Sequence, residues 1–517
     1  MTTTRRRFAH SDAFWLGLLT LAALALRLWG LGSRALLPDE GSSLYYSQLP
    51  LATLLWSLCD PHPPGYYLLL RAVAALGQGE AWLRLPSALA GALAVPLTWA
   101  VARAAIRPTA QPGQRWPDQA ALLAAALLAF GPLAVWYSQE ARAYALLALL
   151  SLAMVWAALR WRLRATRGAV ATFLLIGWLA LAAEYGALVV VFGLNLFLLS
   201  GWPWRAAGED RRGAGRRWLA LQAALLTPFA LWWLVSAQPA ALAQMSYQAI
   251  FLAVQAQRLG LDWTPETAQR VIALTGLAAA GLGLAAAVAV RRSARVRRWL
   301  GSPWAAAALL AVVLALALLG ALPRLYTIKR HLNALLPFVS IAAAWTLLRV
   351  PEGTGRATPA RRGAAGAAAG ALLALSVALL LTAPQPAWPQ VVESLAAELQ
   401  DGDALWVDEL DAAVFATYWQ ERSPWQPLRA RDLDALNQTA SEQRIWLVGG
   451  VSAYRDLRQT LPPAFASQRA AVYSVVWSDV ALTAYDWRAA PQPAVDPPLA
   501  LRWGLAIQSP LDVVCPP

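Results

Sequence analysis

The chain has 517 residues, of which 58% are hydrophobic and 14% are charged, and its mean hydropathy is +0.45. A soluble protein carries roughly 25% charged residues, so the composition excludes an ordinary soluble domain and predicts a polytopic membrane protein. The two cysteines, Cys59 and Cys515, are too few for a cysteine-ligated metal cluster or a disulfide scaffold. The formal net charge of +14 raises the question of nucleic-acid binding, which the positions of the arginines decide.

Long apolar runs recur from the N-terminus to residue 383. A spanning helix needs roughly 20 apolar residues, and the pattern predicts about eleven such helices. The runs lie at residues 13–31, 81–101, 119–137, 143–159, 168–184, 186–200, 218–236, 270–290, 303–322, 332–348 and 364–383. The fifth and sixth runs are short, and only the sequence EYG at 184–186 separates them.

The first run resembles a signal peptide, because it follows the basic sequence MTTTRRRF. It is longer than the apolar part of a signal peptide, and no small-residue cleavage site closes it. We therefore predict an uncleaved first helix. Arg27 lies within this run, and we expect its long side chain to extend towards the membrane surface.

Basic residues concentrate in every second segment between the runs. With the N-terminus in the cytoplasm, the arginine-rich inner segments are 5–7, 103–115, 160–167, 205–217, 291–298 and 349–362. This alternation follows the positive-inside rule, so the net charge reports membrane topology, and no nucleic-acid partner is predicted. We expect a multi-pass protein of the cell membrane (inner or plasma membrane), surrounded by its lipids. An odd number of helices places the C-terminal tail outside the cytoplasm.

The tail after the last run has a different pattern. The stretch VVESLAAELQDGDALWVDELDAAVFATYW predicts a helix, a turn at DGD, a strand and a second helix. RIWLVGG (444–450) and AVYSVVWSDVALTAYDW (471–487) predict further strands. The predicted fold class is an all-α polytopic membrane protein with a small C-terminal extracytoplasmic α/β domain. The membrane domain comprises residues 1–383, and the tail domain comprises residues 384–517.

Two adjacent acids, Asp39 and Glu40, open the first external loop, which spans residues 32–80 in this topology. Their simplest interpretation is a solvated helix end or an N-cap for the segment EGSSLYYSQL. The functional interpretation is a general base, because a hydroxyl group that attacks carbon must give its proton to a nearby carboxylate. The loop also holds a short apolar stretch, LPLATLLWSL, and a rigid turn, DPHPP, so it can enclose a substrate at the membrane surface.

Three motifs recur in a fixed order along this part of the chain: PDEGSSLYYS (38–47), DPHPPGYYLLLRAVAALGQGEAWLRLPSALAGALAVPLTW (60–99) and GPLAVWYSQEARAYALLALLSL (131–152). Together they resemble the GT-C membrane glycosyltransferases, in the bacterial branch related to dolichyl-phosphate-mannose–protein mannosyltransferases. The resemblance covers roughly residues 12–350. It implies an inverting transfer of a hexosyl or pentosyl group from a polyprenyl-phosphate sugar to a hydroxyl group outside the cytoplasm. The acceptor is a glycan, a lipid or a protein.

The resemblance also implies roles for the acids of the first external loop. Asp39 matches the catalytic base of the family motif, and Glu40 matches its acidic neighbour. Asp60 and His62 stand where related enzymes have an acid and a basic residue before a proline-rich turn. A divalent metal ion at Asp60 and His62 stays open as a cofactor, while a turn residue with a satisfied ring is the simpler interpretation of His62.

The second external loop contains the sequence YSQEARAY at 137–144. Its simplest interpretation is an aromatic belt, formed by Tyr137 and Tyr144, with a local ion pair between Glu140 and Arg142. The resemblance implies that Tyr137, Glu140 and Tyr144 shape a substrate pocket. It also implies that Arg142 contacts the phosphate of the donor.

A departing lipid phosphate gains negative charge in the transition state, so cations or a metal ion must stabilise it. The segment PRLYTIKRHLNALLPF (323–338) supplies Lys329, which is the single lysine of the chain, and Arg330 at an outer helix end. The resemblance implies that Arg330 contacts the phosphate, with Lys329 beside it. Anchoring of the helix in lipid headgroups is the alternative.

Other functional classes stay open from the residues alone. A lipid-linked sugar transporter or flippase predicts broken helices and charges near the bilayer midplane, whereas the acids of this chain gather in one outer loop. An O-antigen polymerase or ligase, which takes lipid-diphosphate donors, holds its key residues in a late loop. A catalytically inactive scaffold is a further alternative. Cys59 and Cys515 both fall outside, where a disulfide can persist; two independent buried thiols are the other interpretation.

Overall fold

The computed structural model describes residues 2–56, 62–77, 79–107, 110–111, 114–163, 166–199, 211–236, 333–348, 359–382, 386–420, 422–428, 444–450, 469–477 and 480–486, with Phe465 and isolated residues between 261 and 293. The predicted residues Asp60, Lys329 and Arg330 lie outside these ranges, as do both cysteines.

Helices and strands are numbered here in chain order over the described residues. The membrane part contains α1 (Thr2–Leu28), α2 (Pro38–Gln48), α3 (Leu51–Trp56), α4 (Gly65–Ala74), α5 (Glu80–Ile106), α6 (Trp116–Ala129), α7 (Pro132–Trp136), a 3₁₀ turn (Tyr137–Gln139), α8 (Tyr144–Leu163), α9 (Arg167–Ala183), α10 (Ala187–Leu199), α11 (Arg211–Ser236), a second 3₁₀ turn (Asn333–Leu335), α12 (Leu336–Leu348) and α13 (Pro359–Leu381). The C-terminal region, residues 386–486, contains α14 (Trp388–Glu398), β1 (Ala404–Asp408), α15 (Glu409–Trp419), β2 (Gln426–Leu428), β3 (Ile445–Gly450), β4 (Ala470–Trp477) and β5 (Val480–Asp486).

The protein is mostly helical, and four described helices are long and apolar enough to cross a membrane. These are α5, α8, most of α11, and α13; the bent pair of α6 with α7 and the following 3₁₀ turn makes a fifth. The helices α9, α10 and α12 lie at the fifth, sixth and tenth predicted runs and are shorter. The predicted number of about eleven spans stays a prediction, because the run at 303–322 and most of the run at 270–290 lie outside the described residues.

A bend of 57° separates α6 from the helical segment that begins at Pro132. Proline has no backbone N–H and disfavours helical geometry in the residue before it, so α6 ends at Ala129 and the carbonyl of Ala129 loses its helical partner. The carbonyl of Leu128 keeps the N–H of Gly131 at 3.4 Å. Arg27 donates to the carbonyl groups of Leu128 (3.4 Å) and Ala129 (3.0 Å). The guanidinium thus replaces the hydrogen bond that the bend removes at Ala129 and adds a second donor at Leu128.

This finding corrects the prediction that Arg27 extends towards the membrane surface. The side chain is 0% exposed, and its Nε also donates to the hydroxyl of Ser138 at 3.1 Å. The carbonyl groups freed at the bend provide buried acceptors, so the guanidinium has no need to reach water. Arg27 therefore fastens α1 to the bend between α6 and α7.

The described residues of the C-terminal region form a five-stranded mixed sheet with the strand order β2-β1-β3-β5-β4. β1 pairs in parallel with β2 and β3, whereas β5 pairs in antiparallel fashion with β3 and β4. Every residue of β3 from Ile445 to Gly449 is buried, as expected for a central strand that is covered on both faces. The predicted turn at Asp403 is tied to the sheet, because its carboxylate accepts hydrogen bonds from Arg444 (2.7 Å) and from the indole of Trp446 (2.8 Å).

The C-terminal region packs directly on the first loop (residues 32–80). One hydrophobic core contains Leu36 and Tyr66 from that loop together with Trp388, Val414 and Phe415 from the C-terminal region. The first loop and the C-terminal region therefore lie on the same side of the helical bundle. The assignment of that side to the exterior of the cell, and the domain boundary at residue 383, stay predictions.

Candidate functional site

Asp39 and Glu40 occupy the first turn of α2, which begins at Pro38 because a fixed φ angle suits the first helical position. The carboxylate of Glu40 accepts the N–H of Leu37 at 2.8 Å and so caps the helix. Asp39 is half-buried, and its backbone carbonyl accepts a hydrogen bond from Ser43 Oγ at 3.0 Å. The N-cap residue is thus Leu37, and neither acid is the N-cap that the sequence left open; Glu40 reaches back to the N-cap from the third helical position.

Glu40 forms a buried, two-pronged ion pair with Arg84 of α5. The distances are 2.8 Å from Nε to Oε1 and 2.7 Å from Nη2 to Oε2, and both side chains are almost fully buried. Burial acts to raise the pKa of Glu40, but the Arg84 guanidinium outweighs it, so the pKa lies below its usual value. Oε1 also accepts the N–H of Ala141 at 2.7 Å. Glu40 thus joins α2 to α5 and to the second loop.

Arg84 was not among the site residues predicted from the sequence. Beyond Glu40, its guanidinium donates to the backbone carbonyl groups of residues that precede α2: Leu31 (2.9 Å), Arg34 (2.7 Å) and Ala35 (2.9 Å). The sequence did contain a signal for Arg84, because burying an arginine near the end of an apolar run costs free energy unless the guanidinium has hydrogen-bond partners. Nothing in the sequence, however, identified those partners.

Arg142 lies where the three sequence motifs meet. Its Nη1 donates to Ser43 Oγ at 3.0 Å and contacts the carbonyl oxygen of Asp39 at 3.3 Å. Its Nη2 lies 3.3 Å from His62 Nε2. The guanidinium is 5.7 Å from the ring centre of Tyr144, and the side chain is buried. The structure therefore brings together Asp39, His62, Arg142 and Tyr144, which are far apart in the sequence.

Tyr137 and Tyr144 are both buried, and their rings meet edge to face with their centres 5.2 Å apart. The 3₁₀ turn followed by the start of α8 brings the two rings together. The carbonyl of Tyr144 accepts a hydrogen bond from Asn333 Nδ2 at 3.0 Å. Asn333 follows the predicted phosphate ligand Arg330 by three residues and is the first described residue after it.

Glu140 is 1% exposed, and its Oε1 accepts no hydrogen bond within the described part of the chain. Burial, together with the negative charge of Glu40, raises the pKa of Glu140 to about 8. Burial therefore favours the protonated form of Glu140, and the described contacts include no ion pair between Glu140 and Arg142. That arginine finds its hydrogen-bond partners on α2 and at His62 instead.

Glu184 is a second residue that the sequence analysis passed over. It lies in the EYG break between α9 and α10, is 3% exposed, and places Oε2 3.8 Å from His62 Nε2. Gly65 makes this possible, because a Cβ atom at Gly65 would lie 2.5 Å from the carbonyl oxygen of Ala182. The start of α4 can therefore lie against the end of α9. The signal in the sequence that could have identified Glu184 was an acid at a break between two apolar helices.

The described residues do not fit a divalent metal ion at His62. No group of three or more His, Cys, Asp or Glu side chains lies together within the described ranges. The cationic Arg142 also faces the Nε2 nitrogen of His62 at 3.3 Å, where a bound cation would be repelled. Asp60, the other predicted ligand, lies outside the described residues.

No protein-family model matches the chain, and no curated protein sequence matches it. The fold of ArnT from Cupriavidus metallidurans bound to undecaprenyl phosphate aligns over 91% of this chain and 98% of that chain, with 17% identity and a TM-score of 0.43. An Archaeoglobus fulgidus oligosaccharyltransferase with a tethered acceptor peptide aligns over 98% of this chain and 77% of its own, with 12% identity and a TM-score of 0.49.

The protein O-mannosyltransferase Pmt1-Pmt2 complex of S. cerevisiae, bound to its sugar donor, aligns over 44% of this chain with 21% identity and a TM-score of 0.35. This match covers 33% of that chain, so the present protein spans about a third of that relative.

Proposed function

We propose that the protein is an inverting GT-C glycosyltransferase that moves a sugar from a polyprenyl-phosphate donor to an acceptor hydroxyl on the extracytoplasmic face of the membrane. The observation that supports this proposal best is the convergence of three motifs on Arg142. Segments 38–47, 62–67 and 137–144 are separated by many residues in the sequence, yet their polar side chains meet within hydrogen-bond distance. The family resemblance of these motifs implies that Arg142 contacts the phosphate of the donor.

Asp39 is the proposed base. The acceptor oxygen forms a bond to the anomeric carbon while its proton passes to the carboxylate of Asp39. The bond between that carbon and the donor phosphate oxygen breaks, and its electron pair leaves with the polyprenyl phosphate. Asp39 lies in the first turn of α2, where the positive end of the helix dipole favours a carboxylate. It is also half-buried, whereas Glu40 is enclosed.

Glu40 supports the base without touching the substrate. Its carboxylate accepts hydrogen bonds from Arg84, Leu37 and Ala141, so it has no free position for a proton from an acceptor. The ion pair instead holds the N-terminal turn of α2 against α5. We therefore place Glu40 as a positioning residue, next to a catalytic Asp39.

The departing phosphate needs positive charge beside it. Arg142 supplies a buried guanidinium at the point where the motifs meet, and the cations Lys329 and Arg330 precede Asn333, which contacts Tyr144. Tyr137 and Tyr144 offer aromatic surface to a sugar ring, and His62 and Glu140 border the same cluster. The C-terminal region, which packs on the first loop, is placed to select a glycan, lipid or protein acceptor.

A donor panel tests the proposal. The purified protein in lipid nanodiscs is incubated with polyprenyl-phosphate sugars that carry different hexoses and pentoses, and released polyprenyl phosphate is measured. Asp39→Asn keeps the shape of the side chain and removes its basicity, so turnover should fall by about 10²- to 10⁴-fold. Asp401→Asn makes the same change at an exposed turn of the C-terminal region and should retain wild-type turnover.

Measurements on the same protein samples distinguish the proposed glycosyltransferase from the other functional classes. Equal turnover by the wild type and Asp39→Asn would remove Asp39 as the base. Consumption of polyprenyl-diphosphate sugars, with no release from the monophosphates, would favour a polymerase or ligase. Movement of a labelled lipid-linked sugar across vesicles, without any cleavage of the donor, would favour a flippase.

A further inference from the structure

Tyr418 of α15 connects the C-terminal region to the segment that leads into α2. Its hydroxyl accepts the backbone N–H of Leu36 at 2.7 Å and donates to Glu80 Oε1 at 2.9 Å. Burial raises the pKa of Tyr418 above its usual value, so the hydroxyl keeps the proton that it donates to Glu80. One side chain of the C-terminal region thus bridges the approach to α2 and the start of α5.

The segment from Leu31 to Leu37 has few backbone contacts of its own, and side chains from elsewhere hold it. Arg84 holds carbonyl groups along it, and the Glu40 carboxylate holds the N–H of Leu37. The N–H of Leu36 lies between these contacts and donates to the hydroxyl of Tyr418. The position of the first turn of α2 therefore depends on α15.

Gly41 allows α15 to come this close. A Cβ atom at Gly41 would lie 2.6 Å from Cα and from Cβ of Val414. The backbone of α2 can approach Val414 this closely only because residue 41 has no side chain. Two independent features, a glycine contact and a bridging hydroxyl, thus hold α15 against the helix that carries Asp39.

We propose that Tyr418 is a positioning residue for sugar transfer, and that the C-terminal region fixes the proposed base Asp39 in its reactive position. This inference rests on the proposed function, because it assigns to the C-terminal region an effect on the reacting carboxylate. A carboxylate displaced by about 1 Å loses up to about 100-fold in rate. Docking of the C-terminal region is then a condition for turnover, in addition to any role in acceptor selection.

The kinetic test is Tyr418→Phe in the full-length protein in nanodiscs. This change removes the bridging hydroxyl and keeps the ring, so kcat should fall by about 10- to 100-fold with the KM for the donor unchanged. Tyr473→Phe removes a hydroxyl from β4, at the far edge of the same sheet, and should retain the wild-type kcat. An unchanged kcat in Tyr418→Phe, or a rise in the donor KM alone, would overturn the proposal.

A double variant distinguishes positioning from a general loss of stability. If Tyr418 acts through Asp39, adding Tyr418→Phe to Asp39→Asn should lower the residual rate no further, because the two residues act as a unit. If Tyr418 had only a structural role, the rate losses caused by Tyr418→Phe and by Asp39→Asn would multiply in the double variant. Multiplicative losses would therefore also overturn the proposal.

Hydrogen exchange provides a readout that does not depend on activity. In Tyr418→Phe, the amides of residues 36–48 should exchange about 10-fold faster, since an unpaired N–H and a weakened helix start open more readily. The amides of α8 should keep their wild-type rates. If the wild-type protein transfers no sugar, the proposed function fails, whereas unchanged exchange at residues 36–48 shows that Tyr418 does not hold α2.

Discussion

The two acids at the start of α2 have opposite surroundings although they are neighbours in the sequence. Glu40 is enclosed and bound to Arg84, whereas Asp39 is half-buried at the same helical turn. The sequence predicted that both acids lie at a helix start, but it did not predict that one would be enclosed and the other half-buried. The reason is physical: the partners of Glu40 lie 44 and 101 residues further along the chain, and only the packing of α5 and the second loop brings them in.

Glu140 should make stability depend on pH. Its pKa is about 8 in the folded protein and 4.5 for a fully solvated glutamate, so the unfolded chain loses this proton first as the pH rises. The folded state then binds more protons than the unfolded state, and stability falls by up to about 1.4 kcal/mol per pH unit between pH 4.5 and 8. Glu140→Gln removes this titration. Thermal midpoints measured from pH 5 to 8 should therefore fall more steeply in the wild type.

The matched variant also controls for other titrating groups, since these remain in Glu140→Gln. Subtracting its pH profile from that of the wild type isolates the contribution of Glu140. Parallel profiles for the two proteins would show that Glu140 titrates normally and is solvated. The sequence predicted a site residue at this position but not its protonation state, because that state depends on burial and on Glu40.

At the scale of elements, hydrophobic periodicity placed the helices well, and the break within the third run was available in the sequence. The dipeptide Gly131-Pro132 is a strong interruption signal, yet apolar residues on both sides made 119–137 look like one straight span. The compensating residue, Arg27, is more than 100 positions away. An arginine in an apolar run indicates a buried acceptor somewhere, but periodicity gives no information on where it lies.

Arg27 should be needed for the bend between α6 and α7. Arg27→Met removes the donors to Leu128, Ala129 and Ser138 and leaves the buried acceptors on Ala129 and Ser138 unpaired, whereas Leu128 keeps the N–H of Gly131. Each such group costs about 1–3 kcal/mol, so thermal stability in nanodiscs should drop clearly. Arg103→Met, in the last turn of α5, removes a half-exposed partner of Asp118 and should cost about 1 kcal/mol or less. Equal losses in the two variants would contradict the role of Arg27.

At the scale of the whole molecule, the sequence predicted a helical membrane part followed by an α/β tail, and the mixed sheet of the C-terminal region agrees with the second half of that prediction. It did not predict that this region shares a hydrophobic core with the first loop. Leu36 and Tyr418 are 382 residues apart, and neither belongs to a motif. Contacts of this kind arise only when both parts are folded, so a single sequence contains no local pattern for them.

Gly41→Ala should separate the C-terminal region from α2. The added methyl group would meet backbone and Cβ atoms of Val414 at 2.6 Å, and backbone atoms cannot turn aside as a flexible side chain can. Such overpacking should lower the free energy of unfolding by about 1–3 kcal/mol, even though alanine favours helix formation more than glycine does. Amides of α15 should exchange faster, and the C-terminal region should be cut earlier in limited proteolysis. Gly193→Ala in α10 makes the same change where no atom lies within 4 Å, so it should show only the helical gain. Wild-type exchange of α15 in Gly41→Ala would mean that the C-terminal region is held elsewhere and that α2 is positioned by α5 alone.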